Sequence, residues 1–340
     1  MRHPRPLVPA LVALAATLSA CGGDASGSDD DALVIYSGRS EALVGPILEQ
    51  FSETSDVPVE VRYGASSTLA AQLLEEGEAT EADVFFSQDA GALGALAKEG
   101  MLAPLPGSVT SLVPEGYRDN EDRWVATTAR ARVLSYDPAQ APEVAEFTSI
   151  DQILDPRYAG EIGYAPTNAS FHAFVTALRI DRGDDGAREW LEAFAALDPE
   201  AYESNTPVLE ATDAGQISIG LINHYYWYRL AAELGEENVN AQIRFLDSDD
   251  PGALVNVAGV GVIAGSDQAE AATSVVEFLL SEQAQTYFAD ETAEYPVVEG
   301  VSNSEFDLEP LSELDSHQID LNELDSLDET LALLEEVGLT

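Results

Sequence analysis

Tyr225 and Tyr226 stand side by side in the string Ile222-Asn223-His224-Tyr225-Tyr226-Trp227-Tyr228. A phenolate is a hard, anionic oxygen, and hard, highly charged cations prefer such oxygens to thiolates or thioethers. Ferric ion is the common biological cation that takes several of them at once. A free tyrosine titrates near pH 10, so ionising one at neutral pH costs about 4 kcal/mol. Only a strong cation makes that worthwhile for two side chains together. A second reading treats the aromatic run as a packed core segment or a ring-stacking surface. The local string leaves both open.

The elements around the pair are those of an α/β chain. Leu33 to Tyr36 reads as a short apolar strand, and Ser37-Gly38-Arg39-Ser40 as a turn that caps a helix over Glu41–Glu53, with Val44, Ile47, Leu48 and Phe51 at helical spacing. Strands are predicted over Val57–Tyr63 and Ala82–Ser87, with helices from Ser66 and over Ala90–Lys98. This alternation argues for a largely parallel sheet with helices on both faces. A second set follows: strands over Trp124–Tyr136, Ile162–Tyr164, Ile217–Ile222 and Leu254–Ile263. Its helices are predicted over Phe171–Arg179, Ala187–Ala196, the tyrosines through Leu230, and Gln268–Ala289. The leucines from Leu311 to Leu327, with a helix over Glu329–Val337, read as a segment packed along a domain rather than a free acidic tail. Ser37–Ser40, Ser87–Asp89, Thr167–Ser170 and Asn223–Tyr226 each fall at the C-terminal end of a predicted strand, where ligands bind in open α/β sheets. Helix N-termini there present free N–H groups, which suit anions.

The charge balance narrows the partners. Lys+Arg is 15 against Asp+Glu 62, a net charge of −47 over 340 residues. So acidic a surface excludes nucleic acid and anionic lipid as general partners, and reads as a solvated coat. It also makes each cation informative: an arginine kept inside such a chain is a candidate for gripping an anion. Arg2, His3 and Arg5, the apolar run Leu7–Leu18 and then Leu18-Ser19-Ala20-Cys21 read as a bacterial lipoprotein signal over residues 1–20, too short to span a bilayer. Acylation of Cys21 with more than one chain would give stable anchoring. Residues 21–31, rich in Gly, Ser and Asp, read as a flexible tether. With Cys21 the sole cysteine, a disulfide frame and a thiolate metal site are both excluded.

Several strings taken in order carry a family resemblance. They are Tyr36-Ser37-Gly38-Arg39, Ala82-Asp83-Val84-Phe85-Phe86 with Gln88-Asp89-Ala90-Gly91-Ala92-Leu93, Ala129-Arg130-Ala131-Arg132-Val133, Ile162-Gly163-Tyr164-Ala165-Pro166-Thr167-Asn168, the tyrosine string, Gly252-Ala253-Leu254-Val255-Asn256-Val257 and Ala293-Glu294-Tyr295-Pro296. From Leu33 to Thr340 the chain resembles the ferric-ion-binding proteins that feed bacterial iron ABC importers, in the periplasmic-binding-protein superfamily. The resemblance implies a two-domain α/β fold of the periplasmic-binding-protein type (type II), with hinge-linked lobes closing on a ligand cleft. The lobes would be residues 32–130 plus 257–306 and residues 131–256 plus 307–340. It further implies a monomer that hands its cargo to a membrane permease.

The resemblance places Tyr225 and Tyr226 as the Fe3+ ligands. A histidine and a glutamate that other members add fall here at about Ser40 and Gln88, so these two become additional cleft positions. The implied remedy is a synergistic anion such as carbonate or phosphate, held by Arg39, Arg130, Asn168, Ala169, Ser170, Asn205 and Asn223; a guanidinium matches such anions bidentately. Plainer roles stand beside these: Ser170 as a helix cap, Asn205 as a turn residue, Arg132 in a packed or surface ion pair, His224 as a supporting or surface residue rather than a ligand, His172 as an ordinary helix residue. The competing function is a binding protein of the same fold for an organic anion or a polyamine, with the aromatics stacking on it. An enzyme is disfavoured, since the chain has no Ser-His-Asp pattern, no His/Cys cluster and no glycine-rich phosphate loop.

Overall fold

The computed structural model describes residues 32–308, 310, 311, 314 and 319–340. The expected signal, Cys21 and the tether lie outside them. The strands are β1 (Leu33–Ser37), β2 (Val59–Tyr63), β3 (Val84–Ser87), β4 (Val125–Tyr136), β5 (Ile162–Tyr164), β6 (Glu200–Ala201), β7 (Ile219–Asn223), β8 (Gln242–Arg244), β9 (Val255–Val262) and β10 (Tyr295–Pro296). The helices are α1 (Glu41–Ser55), α2 (Ser66–Glu76), α3 (Ala90–Lys98), α4 (Gly107–Thr110), α5 (Ala169–Ala195), α6 (Asn205–Asp213), α7 (His224–Leu234), α8 (Ala269–Leu279), α9 (Glu282–Thr292) and α10 (Leu327–Val337).

The strands follow the order β2-β1-β3-β9-β4-β7-β5-β6, with β8 and β10 also paired to β4. Both wings are parallel, β1 with β2 and β3, β5 with β6 and β7, as the alternation predicts. The centre is not: β4 and β9 are antiparallel to their neighbours, so the sheet is mixed. β4 is buried along its whole length. Its first half, to Ala131, pairs with β9, and its second half, from Arg132, pairs with β7. Separate apolar cores flank that junction. The first gathers Ile35, Val44, Phe51, Phe85, Leu93 and Val260, and the second Ile162, Phe171, Leu178, Trp190 and Leu221.

Of the two long helical stretches, one follows expectation and one departs from it. The stretches predicted over Phe171–Arg179 and Ala187–Ala196 are two helical arms of α5, as expected, parted where Gly183 leaves helical geometry at φ 70° and ψ 167°, a conformation glycine adopts without steric cost. The long helix predicted over Gln268–Ala289 instead breaks between α8 and α9, where Ser281 caps α9 by accepting from the Ala284 N–H. The C-terminal segment, expected with the second lobe, divides between the cores: Leu321, Leu324 and Leu327 pack in the first, Leu333, Leu334 and Leu339 in the second. Arg179 on α5 fastens it by donating to the Ser326 carbonyl at 3.0 Å and to Thr330 Oγ1 at 3.0 Å.

Candidate metal-binding cleft

The ends of β1, β3, β5 and β7 converge on a cleft of about 950 Å3 lined by Arg39, Ser40, Gln88, Asn168 and Tyr226 among others. Local capping makes these turns. Ser37 Oγ accepts from the Arg39 N–H at 3.2 Å and donates to the Arg39 carbonyl at 3.1 Å, which directs the chain into α1. Ser87 makes the same turn with Asp89 after β3. Asn168 caps α5, its Oδ1 accepting from the Ser170 N–H at 3.0 Å.

Tyr225 and Tyr226 lie in the first turn of α7, directly after β7. Their rings stack with centroids 4.2 Å apart and planes 28° apart. Tyr225 is fully buried and its hydroxyl has no hydrogen-bond partner among the described residues, whereas Tyr226 is half-buried and lines the cleft. Burial pushes the Tyr225 hydroxyl well above its usual range; Tyr226 and Glu294 push the same way, against Arg39 and Arg130. A phenol held as Tyr225 is keeps its proton at neutral pH.

Three arginines lie buried here: Arg39, Arg130 and Arg132. Arg39, expected to hold an anion, spends its two terminal nitrogens on Glu294. Its Nη1 donates to Glu294 Oε1 at 3.0 Å and its Nη2 to Glu294 Oε2 at 2.5 Å, leaving Nε unpartnered. Arg130 is the opposite case, with Nε, Nη1 and Nη2 all lacking partners. Burial and the neighbouring Arg39 lower its pKa. Asn256, opposite Arg130 in the β4–β9 register, also keeps an unpartnered Nδ2.

Arg132, expected in an ion pair, makes none among the described residues. Its Nη1 donates to Ser170 Oγ at 3.1 Å, its Nη2 has no partner, and its guanidinium lies 5.6 Å over the Phe174 ring. Burial drops its pKa to about 9, and the facing Tyr226 works against that fall. Ser170 gathers the neighbouring groups. Its Oγ donates to Asn168 Oδ1 at 2.7 Å and accepts from Asn205 Nδ2 at 3.1 Å, so it is more than a cap. Asn205 opens α6 rather than standing in a free turn, and its Oδ1 is unpartnered, as is Asn223 Nδ2. Ala169 opens α5 at the same place.

Buried polar groups are normally hydrogen-bonded. Here Arg39, Arg130, Arg132, Asn223 and Asn256 each keep a buried donor without a hydrogen-bond partner among the described residues, and Arg39 and Arg130 couple to Tyr225 while Arg132 couples to Tyr226. That donor set fits an oxyanion beside a metal: guanidinium and amide N–H groups for the anion, phenol oxygens for the cation. The lining also includes Glu210, Glu233, Asp290, Glu291 and Glu305, with Arg229. Gln88 is buried in the lining and its N–H donates to Ser66 Oγ at 2.9 Å, while Ser40 is exposed. His224 is buried with both ring nitrogens engaged, so it is neither a surface residue nor open to a metal. His172, Nε2 bonded to the Pro166 carbonyl at 2.8 Å, lies buried in α5.

Sequence reasoning assigns no site role to Glu294 or Asn256, and it gives Arg132 only an ion pair. For Arg132 a signal exists: in Ala129-Arg130-Ala131-Arg132 the arginines sit two apart on a strand, hence on one face.

The family model for bacterial extracellular solute-binding proteins matches residues 79–325. The chain is 31% identical over 327 residues to an Fe(3+)-binding periplasmic protein of Serratia marcescens, covering 96% of each chain. It is likewise 31% identical over 312 residues to a major ferric iron-binding protein of Neisseria meningitidis serogroup B, covering 90% of this chain and 93% of that one. Among solved structures, iron-bound HitA from Pseudomonas aeruginosa matches with a TM-score of 0.85 and 33% identity over 90% of this chain and 99% of that one. A Trichodesmium protein in complex with iron and citrate matches with a TM-score of 0.75 and 25% identity, over 91% and 100%.

Proposed function

We propose a ferric-iron receptor: the chain belongs to the bacterial extracellular solute-binding protein family, among its ferric-iron-binding periplasmic members, and the cleft supplies what capture of Fe3+ requires. The carrying observation is the stacked pair Tyr225 and Tyr226, one hydroxyl buried without a partner between Arg39 and Arg130. Fe3+ takes the place of the proton on both phenols, and the two protons leave to solvent. A synergistic anion, carbonate or phosphate, completes the coordination, held by Arg130, Arg132, the Arg39 Nε, Asn223, Asn205 and the α5 N-terminus at Asn168, Ala169 and Ser170. Ser40 and Gln88 leave their side of the cleft without a strong ligand, which the anion or water fills. Closure of the lobes about β4 and β9 removes the metal from water, where charge interactions strengthen. Ligands compete with protons, so protonation or anion loss reopens the site.

The receptor works outside the cytoplasm as a monomer tethered through acylated Cys21, and delivers to an ABC permease. An organic anion is the competing cargo, because the buried guanidinium groups suit it; the same groups repel a polyamine. Purified protein loaded with ferric citrate decides between them. A visible phenolate-to-iron band that vanishes in Tyr225→Phe/Tyr226→Phe is the expected result. A colourless protein at saturating iron, with heat of binding from organic anions alone, overturns it.

A further inference from the structure

His224 opens α7 directly before Tyr225 and is wholly buried, yet it takes no part in the capture just described. Its Nδ1 accepts the Ala131 N–H at 3.2 Å, and its Nε2 lies 2.9 Å from the Ala293 carbonyl oxygen. An amide N–H only donates and a carbonyl only accepts, so the ring is neutral with its proton on Nε2. Both contacts fall at telling places. Ala131 is where β4 leaves its pairing with β9, and Arg132 next to it begins the pairing with β7. Ala293 ends α9 in the left-handed region, φ 56°, and precedes Glu294, which holds Arg39. The imidazole also stacks on Tyr295 at 4.6 Å, and Tyr295 pairs with β4 at Ala129. The helix start it anchors straddles the lobes: Tyr225 packs in the first core, while Ile222 and Trp227 pack in another.

We propose that His224 is a positioning residue for metal capture. By bonding β4 at Ala131 and the α9–β10 turn at Ala293, it fixes the two tyrosine hydroxyls to the strand about which the lobes close. The inference rests on the ferric reading of the site. Without the brace, two phenols still take the metal, but the pair no longer keeps its register with β4 and the metal leaves sooner.

The test uses the full chain loaded from ferric nitrilotriacetate. His224→Phe keeps the ring and its stack on Tyr295 but deletes both hydrogen bonds; His224→Gln retains an amide able to make one. The expected result is iron loss to EDTA faster by about tenfold in His224→Phe, a factor equal to about 1.4 kcal/mol. A shifted phenolate-to-iron band and an intermediate rate in His224→Gln accompany it. A folded His224→Phe with wild-type release and an unmoved band overturns the proposal, since the ring then only fills space. Should that variant fail to fold, hydrogen exchange at the Ala131 amide of iron-free wild-type protein decides. Protection there upholds the brace, and exchange at the rate of an exposed amide overturns it. A wild-type protein with no visible band refutes the ferric reading instead, and leaves the amide measurement to judge the brace separately.

Discussion

Replacing Glu294 by glutamine separates two effects of one buried carboxylate. Glu294 and Arg39 are both wholly buried and joined by two hydrogen bonds, and Thr292 Oγ1 adds a third to Glu294 Oε2 at 3.2 Å. Glutamine keeps the shape and removes the charge. Arg39 then becomes a buried cation without a counter-charge, and breaking a buried pair in this way costs about 3–5 kcal/mol. Against a total stability on the order of 5–15 kcal/mol, that is a large fraction, and corresponds to a fall of roughly 10 °C in Tm. The second effect has the opposite sense for the site. The Glu294 charge raises the Tyr225 pKa and Arg39 lowers it. In Glu294→Gln one of the raising influences is gone while burial and Tyr226 remain, so Tyr225 ionises at lower pH than in the wild type. Thermal unfolding of iron-free protein gives the first quantity. Ultraviolet tyrosine titration, taken as the difference from the same variant carrying Tyr225→Phe, isolates the second among 12 tyrosines. Arg39→Met/Glu294→Leu should recover most of the stability, because apolar replacement of a buried pair is often neutral or better. A Glu294→Gln protein as stable as wild type, or one whose Tyr225 ionises later, refutes the reasoning.

Further outcomes follow from other contacts. Arg132 is buried with an unpartnered nitrogen and a pKa brought down to about 9, so Arg132→Met should leave iron-free stability equal or higher. Iron retention in carbonate buffer should nevertheless weaken by about tenfold, or about 1.4 kcal/mol, as competition with a chelator would measure. His224, ordinarily near 6.5, is pushed down to about 4, first by burial and further by Arg130, against Glu294 and its two backbone bonds. The unfolded chain therefore binds a proton that the native iron-free protein refuses, and stability from this residue is lost as pH falls from 6.5 towards 4, by about 3 kcal/mol. Denaturant unfolding should show that slope in wild type and its absence in His224→Phe, the comparison cancelling the carboxylates. A Cβ at Gly91 would lie 2.8 Å from the Leu324 carbonyl oxygen, so Gly91→Ala should cost about 1–3 kcal/mol and expose the segment around Leu324 to protease.

The sheet wings and the strand-end turns are legible because local signals specify them. Apolar runs bounded by glycine and serine mark β1, β3 and β9, and α3 spans the predicted Ala90–Lys98. Where local and tertiary signals compete, the reading fails. Helix α6 begins at Asn205 and carries Pro207 near its start, a position proline tolerates, yet Asn, Thr and Pro together read as a turn. The break between α8 and α9 turns on Ser281, whose cap is visible in sequence only once the helix is allowed to end.

The site divides along the same line, and the division has a physical cause. Tyr225, Tyr226, Asn168 and Ser170 are legible because each stands at a strand end within a few residues of its own cap. The Arg39–Glu294 pair is not, because its partners lie 255 residues apart and meet only when the α9–β10 turn folds against β1. Their pairing reassigns the nearby cations: with the Arg39 fork engaged, Arg130 is left as the buried guanidinium whose nitrogens are all unspent. In a chain carrying a net charge of −47, an arginine that bonds no carboxylate among the described residues, and feels Glu294 and Asp89 only through space, has been shielded from a large excess of them. Desolvation of a buried ion costs several kcal/mol, and for Arg130 it outweighs the attraction of Asp89 and of Glu294, which Arg39 already holds, so its pKa stays lowered. In the proposed ferric complex, two phenolates and an anion on a trivalent cation would add negative charge at the place where Tyr225 already couples to Arg130.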